Sequence, residues 1–306
     1  MTRTFVTILI FIFSEICAGQ NSIIDSDYLI FGRKEPASLG SVFSALGNEP
    51  VFLNPAGVAL VTDNRITLAG NASDLGTGYM LSWTAPNLSI SSAMHSSTLE
   101  DPDYSEYKKE LLKFSFGLSN EDIGYRFSKM VLAFGISVKR MADRLSAGQQ
   151  KAFGGDAIGV DLGFHLSWQS LSFELAAINV NTPNLGDTGL SYAPVYSICT
   201  RYRSPSGFVI AFQGLNSSTY AGSDFGINVA AEQTFLQHRL TSRLQLTSFF
   251  NGTEATMQNI SGNIGYRPEV PPELYFLQDF EINYTLSFLA MPKNVGIHMI
   301  ALTKYF

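Results

Sequence analysis

The residues with most chemical potential are four histidines, His95, His165, His238 and His298. A catalytic or structural metal needs them in ligand spacing, such as two histidines one helical turn apart with a glutamate between. None of the four stands in that pattern. No G-x-S-x-G elbow, phosphate-cradling loop or paired-cysteine motif occurs either. The expectation is no enzyme, no metal and no cofactor. A different set shares one context, that of polar residues alternating with apolar ones. It comprises Asp161, His165, Glu174, Arg201, Asp224, Asn228, Glu232, Arg239, Arg243, Asp279, Glu281 and Asn283. Charges buried without partners are costly. These residues must therefore meet water or each other, in a hydrated channel or in an ion-paired interior.

The elements that would position them follow from period two. From Asp156 to Trp168 every even residue is apolar (Ile158, Val160, Leu162, Phe164, Leu166, Trp168), and the odd ones are small or polar. Such alternation is a long strand with one greasy and one polar face. Fourteen segments read this way: 65–71, 77–84, 87–95, 112–118, 129–139, 156–168, 170–178, 194–203, 206–215, 224–233, 238–249, 256–266, 277–289 and 295–306. Ile123–Phe127 reads either as a short extra strand or as the far half of a bulged one. Short connections fall at Gln169-Ser170, Ser204–Ser206 and Ala85-Pro86, and long ones at Ser96–Leu111, Arg140–Asp156 and Asn179–Ala193. Short turns at one end and long loops at the other suit an outer-membrane barrel. Trp83, Trp168, Tyr202, Tyr266 and Tyr305 stand near strand ends, as interface girdles do.

Composition agrees. Charged residues make up 15% and hydrophobic ones 45% of 306 residues, with a net charge of −6. A quarter charged is usual for soluble domains. No apolar run reaches the 18 residues of a membrane helix. No basic cluster with interleaved aromatics calls for nucleic acid. Residues 1–19 read as a secretory signal, with Arg3 ahead of the apolar run Phe5–Phe13. Ser14-Glu15-Ile16 before Cys17 does not suit lipoprotein processing, so cleavage after Ala18 or Gly19 is expected. Cys199 is then the one cysteine left.

Residues 33–60, R-K-E-P-A-S-L-G-S-V-F-S-A-L-G-N-E-P-V-F-L-N-P-A-G-V-A-L, carry a resemblance. The segment resembles the N-terminal motif of the FadL-like superfamily, especially its PorV/PorQ branch. The matching positions are Arg33, Leu39, Gly40, Ala45, Leu46, Asn54, Pro55, Ala56 and Gly57; Asn48-Glu49 replaces the branch's acidic pair. L-A-F-G-I-S-V-K at 132–139, G-V-D-L-G at 159–163 and L-A-A-I-N-V at 175–180 also look familial. The resemblance implies a hatch inside a fourteen-stranded barrel. It also implies one of two roles: a type IX secretion accessory that receives secreted proteins, or a transporter of long-chain fatty acids and other hydrophobic molecules. The chain is short for a FadL-type transporter and its lumen face is polar, which favours the PorV/PorQ branch.

On residue physics alone, Asn54-Pro55 forces a turn, because a residue before proline avoids the helical region. Gly57 permits a positive φ or a close backbone approach. The terminal Phe306 is the aromatic end read by the barrel-assembly machinery, with Lys304 at a usually apolar position. The expected fold is all-β: a transmembrane antiparallel barrel of about fourteen strands in the lipid of the cell outer membrane. Residues 1–19 would be the signal, 20–62 the hatch and 63–306 the barrel. With a hatch present, the ion-paired interior is expected over the open channel.

Overall fold

The computed structural model describes Ser22–Ile23 and residues 54–306, apart from 74–75, 99–105, 126, 128, 148–149, 187–190, 193, 220–221, 237–238, 252–253, 271–278 and 291–294. Fourteen antiparallel strands close into one barrel. They are β1 (Arg65–Ser73), β2 (Gly76–Ala85), β3 (Leu88–Thr98), β4 (Glu106–Ser119), β5 (Met130–Ala147), β6 (Gln150–Trp168) and β7 (Leu171–Ile178). The second half is β8 (Val195–Arg203), β9 (Phe208–Thr219), β10 (Gly222–Phe235), β11 (Leu240–Asn251), β12 (Glu254–Tyr266), β13 (Phe280–Ala290) and β14 (Val295–Tyr305). The seam pairs β14 with β1, from Ile297↔Ser73 to Tyr305↔Arg65. Closure leaves no sheet edge within the hydrocarbon, where an unpaired N–H or C=O costs several kcal/mol, roughly.

Alternation decides which face meets lipid. Ile158, Leu162, Phe134, Ile136, Leu244, Ile264, Ile282 and Phe288 are all exposed, from 45% at Ile136 to 63% at Ile158. Phe164, Phe280 and Leu286 share that outward parity and are half-buried among neighbours. Their in-between residues Asp161, Ser137, Arg243, Asn263 and Glu281 are buried. A soluble barrel would have the reverse arrangement. Trp83, Trp168, Tyr202 and Tyr266 are exposed together at the end that carries both Arg65 and Tyr305, forming one girdle. Tyr305 departs from that expectation. Its odd parity turns the ring inward, and its hydroxyl donates to Glu281 Oε2 at 2.8 Å.

Two of the expected long loops are mostly strand. The β3–β4 hairpin runs on to Thr98 and Glu106, and the β5–β6 hairpin to Ala147 and Gln150. Residues 140–156 carry charges on both faces, with Arg140 Nη2 3.0 Å from Asp156 Oδ2 on the outside. Here the outward face is polar while the inward one stays buried, with Met141 and Asp143 packed inside, so the apolar alternation stops while strand pairing continues. Among the described residues Ile123–Phe127 forms no extra strand: residues 120–124 are turn, and Phe127 makes one isolated bridge to Met130.

The third expected loop, Asn179–Ala193, turns inward at its described residues Leu185 and Tyr192. Leu185 and Tyr192 are buried, and Tyr192 Oη donates to Asp143 Oδ2 at 2.5 Å. Ser191–Tyr192 also pairs in parallel with Ser22–Ile23. The apolar lumen residues form a band. Ala301, Ala69, Met80, Ala93, Leu111, Met141 and Ala157 are successive register partners from β14 through β6. Ile178, Val195 and Leu215 continue the cluster, and Leu185 and Tyr192 pack onto it from the inward connection.

Candidate functional site: the hatch seat and the ion-paired lumen

The site begins with Asn54. Its backbone is extended (φ −133°) and its side-chain oxygen accepts from Ala56 N at 3.0 Å, capping a 3-10 helix over Pro55–Leu60. Proline suits the first helical position, where its missing N–H is not needed. The sequence-derived turn is therefore tightened into a helix. Gly57 lies within it, buried, and takes no positive φ. Arg33, Leu39 and Gly40 lie outside the described residues, as does the rest of the 24–53 segment.

The helix lies on the inner wall of β4, β5 and β6, on a row of three glycines. Gly117, Gly135 and Gly163 are successive register partners across these strands. A Cβ at Gly135 would stand 2.2 Å from the Pro55 carbonyl carbon, and one at Gly163 2.1 Å from Asn54 Oδ1. At Gly117 it would stand 3.0 Å from Ala59 N. At Gly135 and Gly163 the seat admits no side chain, and at Gly117 a Cβ fits only tightly. Asn54 Nδ2 completes the dock, donating to the Phe164 carbonyl at 3.2 Å and lying 3.4 Å from Glu174 Oε2.

Around the seat the lumen charges pair. Glu174 Oε1 lies 3.3 Å from His165 Nδ1 and 3.5 Å from Arg201 Nη2. Asp161 is held by two lysines, with Nζ of Lys113 at 2.6 Å and of Lys139 at 3.3 Å, and it accepts from Asn179 N at 3.0 Å. That last bond fixes the base of the inward connection. Lys109 Nζ lies 3.7 Å from Asp143 Oδ1 and 4.9 Å from the Tyr192 ring centre. On the far wall Arg243 pairs with Glu232, and Asn228 Nδ2 donates to Gln213 Oε1 at 3.2 Å. Glu281 accepts from Asn283 Nδ2 at 2.8 Å and faces Arg267 Nη2 at 3.4 Å.

Thus Asp161, His165, Glu174, Arg201, Asn228, Glu232, Arg243, Glu281 and Asn283 lie buried on the lumen face. Two expected lumen residues do not. Arg239 precedes β11 and pairs with Glu269 at the rim, Nη2 to Oε1 2.7 Å. Asp279, at φ 60° just before β13, is exposed at the same rim. Both sit where the strand has not begun, so alternation does not govern them. The hydrogen bond from Arg239 holds the Glu269 carboxyl below its ordinary pKa and raises that of Arg239.

Asp224's side chain lies outside the described residues, as do those of His95 and His238. His298 faces outward, not into the lumen, with Nδ1 2.8 Å from Tyr284 Oη. The sequence reading missed Lys109, Lys113 and Lys139, the partners of the buried acids. Their signal was present only in part: Lys113 stands between Leu112 and Phe114, whereas Lys109 stands between Lys108 and Glu110, and Lys139 between Val138 and Arg140. Phe306 is exposed, and its N–H donates to the Asn64 carbonyl at 2.8 Å. Lys304 shares its outward face, with Nζ 5.0 Å from the Phe280 ring centre and 5.8 Å from that of Phe306. That reach reconciles a cation with a nominally apolar position.

An apolar outer belt, a closed fourteen-stranded wall and a capped helix seated in the lumen define the class: a transmembrane β-barrel of the outer-membrane type, with an internal N-terminal element. Solved structures give the fold its place. The chain is similar to a Pseudomonas aeruginosa FadL homologue, with a TM-score of 0.57 and 10% identity over 86% of this chain and 95% of that one. It is similar to the CymD monoaromatic hydrocarbon channel (0.56, 10%, 86% and 94%). The Ralstonia pickettii toluene transporter TbuX gives a TM-score of 0.54 at 10% identity over 83% and 92%. At such identity the likeness is one of fold. No protein-family model matches the chain, and no curated protein matches it in sequence.

Proposed function

We propose that this chain is an exported outer-membrane barrel that rests closed and passes small hydrophobic molecules slowly. The observation that carries the reading is the apolar band inside the lumen, from Met80 through Leu111 and Met141 to Val195, covered by Leu185 and Tyr192. A water-filled porin has no use for such a band, whereas a hydrophobic molecule crossing the lumen needs one. The FadL-like fold agrees, and two of its structural neighbours are described as a toluene transporter and a monoaromatic hydrocarbon channel. Signal removal at about residue 19, and a hatch extending over residues 20–62, belong to the same proposal. Large aqueous channels come with about 16–18 strands, so a plugged fourteen-stranded wall leaves little free lumen. The test is twofold. In planar bilayers the intact protein shows little steady conductance, and deleting residues 22–60 raises it. In whole cells the intact protein speeds uptake of toluene or a long-chain fatty acid. Steady porin-like conductance of the intact form contradicts the closed state.

A second reading, a PorV/PorQ-like secretion accessory, is favoured by residues 33–60 and by the tall β4–β6 wall, whose strands reach 14, 18 and 19 residues. Such a wall rises beyond the hydrocarbon and offers a surface to a secreted partner. A co-purifying secreted protein, together with no uptake, selects this reading.

A further inference from the structure

The lumen mouth at the end holding Arg65 and Tyr305 contains a second site, apart from the hatch seat. A cavity of about 590 Å³ opens there between the β8–β9 turn and β10, β11, β13 and β14. Its charged lining is Arg203, Arg243, Arg267, Glu232 and Glu281. Two of the cations are already engaged, Arg243 by Glu232 and Arg267 by Glu281. Arg267 also lies over the Tyr305 ring, 4.3 Å from its centre. Arg203 is different: its side chain makes no hydrogen bond or ion pair among the described residues and is exposed into the mouth. Three guanidinium groups against two carboxylates leave one positive charge in the cavity.

The surroundings raise the value of that charge. Arg65, the register partner of Tyr305, is buried at the same end, and its Nε and Nη2 have no hydrogen-bond partner. It adds positive potential without a counter-ion of its own among the described residues. Ser204, Ser206, Thr234 and Thr241 bring hydroxyl groups, while Val209 and Phe235 supply apolar wall. A concave, low-dielectric cleft with a net charge of one sign focuses the field on an entering counter-charge. A guanidinium offers a planar pair of N–H donors that match carboxylate and phosphate oxygens.

We propose that this mouth cavity binds one small organic oxyanion, a carboxylate or phosphate group carried on a compact apolar body, with Arg203 as its principal partner. The inference stands apart from the transport reading, since it needs neither the hatch nor passage through the barrel. Titration calorimetry of the purified full-length barrel in neutral detergent tests it, with benzoate, phenyl phosphate and uncharged benzyl alcohol as probes. At least one anion binds saturably and benzyl alcohol does not. Arg203→Gln weakens anion binding about tenfold or more, the usual scale for losing a charge-assisted pair, and Arg203→Lys keeps part of it. Heat-modifiable migration confirms that both variants fold. Repeating the titration in phosphatidylcholine discs with and without phosphatidylglycerol separates the sources. Unchanged binding assigns the site to soluble anions; loss of binding on adding the anionic lipid assigns it to that headgroup. Absence of anion binding, equal binding of benzyl alcohol, or binding indifferent to Arg203→Gln overturns the proposal.

Discussion

The β4–β6 wall and the β10–β13 wall are built from the same alternation and differ in what fills the lumen beside them, toward the same end of the barrel. On the first, the inward positions are reduced to Gly117, Gly135 and Gly163, and the chain's own Pro55–Leu60 helix fills the space. On the second they keep long polar groups, Asn228, Glu232, Arg243, Gln245 and Asn263, and the space near the mouth stays a cavity. Side-chain size at lumen parity thus decides where a barrel is plugged and where it stays wet. Strand formation is indifferent to that choice, because it depends on the outward residues and the hydrogen-bond ladder.

The sharpest way to break the contrast is to give the glycine row a side chain. Gly135→Leu cannot coexist with Pro55 where it stands, since even a Cβ would meet its carbonyl carbon at 2.2 Å. The barrel should still close, with the 54–60 helix driven off its seat. The expected readouts are rapid proteolytic clipping near Asn54 and a large rise in bilayer conductance. Gly262→Ala is the control, because its nearest contact is a comfortable 4.0 Å from Arg243 O.

Next in size is the charge between the two lysines. Asp161→Ala leaves Lys113 and Lys139 buried without their shared carboxylate. Breaking a buried pair from one side costs about 3–5 kcal/mol, measurable by denaturant unfolding in detergent. The same change frees Asn179 N at the base of the inward connection. Protection of that connection from hydrogen exchange should fall with it. A lipid-facing charge comes third: Leu162→Arg should cost about 2–4 kcal/mol if the site is near the midplane, and less toward an interface.

The smallest effect is expected at the rim. Glu269 is fully exposed, and its carboxyl is held below its ordinary pKa by Arg239. A lowered folded-state pKa means that the pair contributes at pH above the carboxyl's unfolded value and is lost as pH falls through the folded one. Between neutral pH and that acid window Glu269→Gln should leave stability almost unmoved, since exposed pairs are screened. A carboxyl NMR titration should find its midpoint below that of the Arg239→Gln variant.

How much of this is legible without a structure follows from what each feature depends on. All fourteen strands and their lipid parity are local, written in consecutive residues such as Ile158 to Trp168, and every one appears in the barrel. The strand extensions at 140–156 are not legible, because their outward residues Arg140, Arg144 and Asp156 are charged and the inward ones mix Met141 with Asp143, which leaves no period-two apolar signal. The glycine row depends on register: 117, 135 and 163 are far apart in sequence and meet only through two hairpins. The inward fold of 179–193 depends on tertiary partners, Asp161 and Asp143, that no local pattern ties to it. N-P-A-G is the start of the one described stretch of that segment, the Pro55–Leu60 helix, but the three glycines that receive it could be found only from the pairing.

The central claim is that Pro55–Leu60 rests on the glycine row inside the folded barrel. A cysteine pair at Ala59 and Gly117 tests it directly, since a Cβ at Gly117 would lie 3.2 Å from that of Ala59, near the separation of about 3.5–4.5 Å that a disulfide requires. The folded double variant, oxidised in detergent, should form an internal cross-link that changes its migration after denaturation, and neither single variant should. Cross-linking no faster than in the unfolded chain, together with clipping at Asn54 in the unmodified protein, would show that the segment does not occupy this seat.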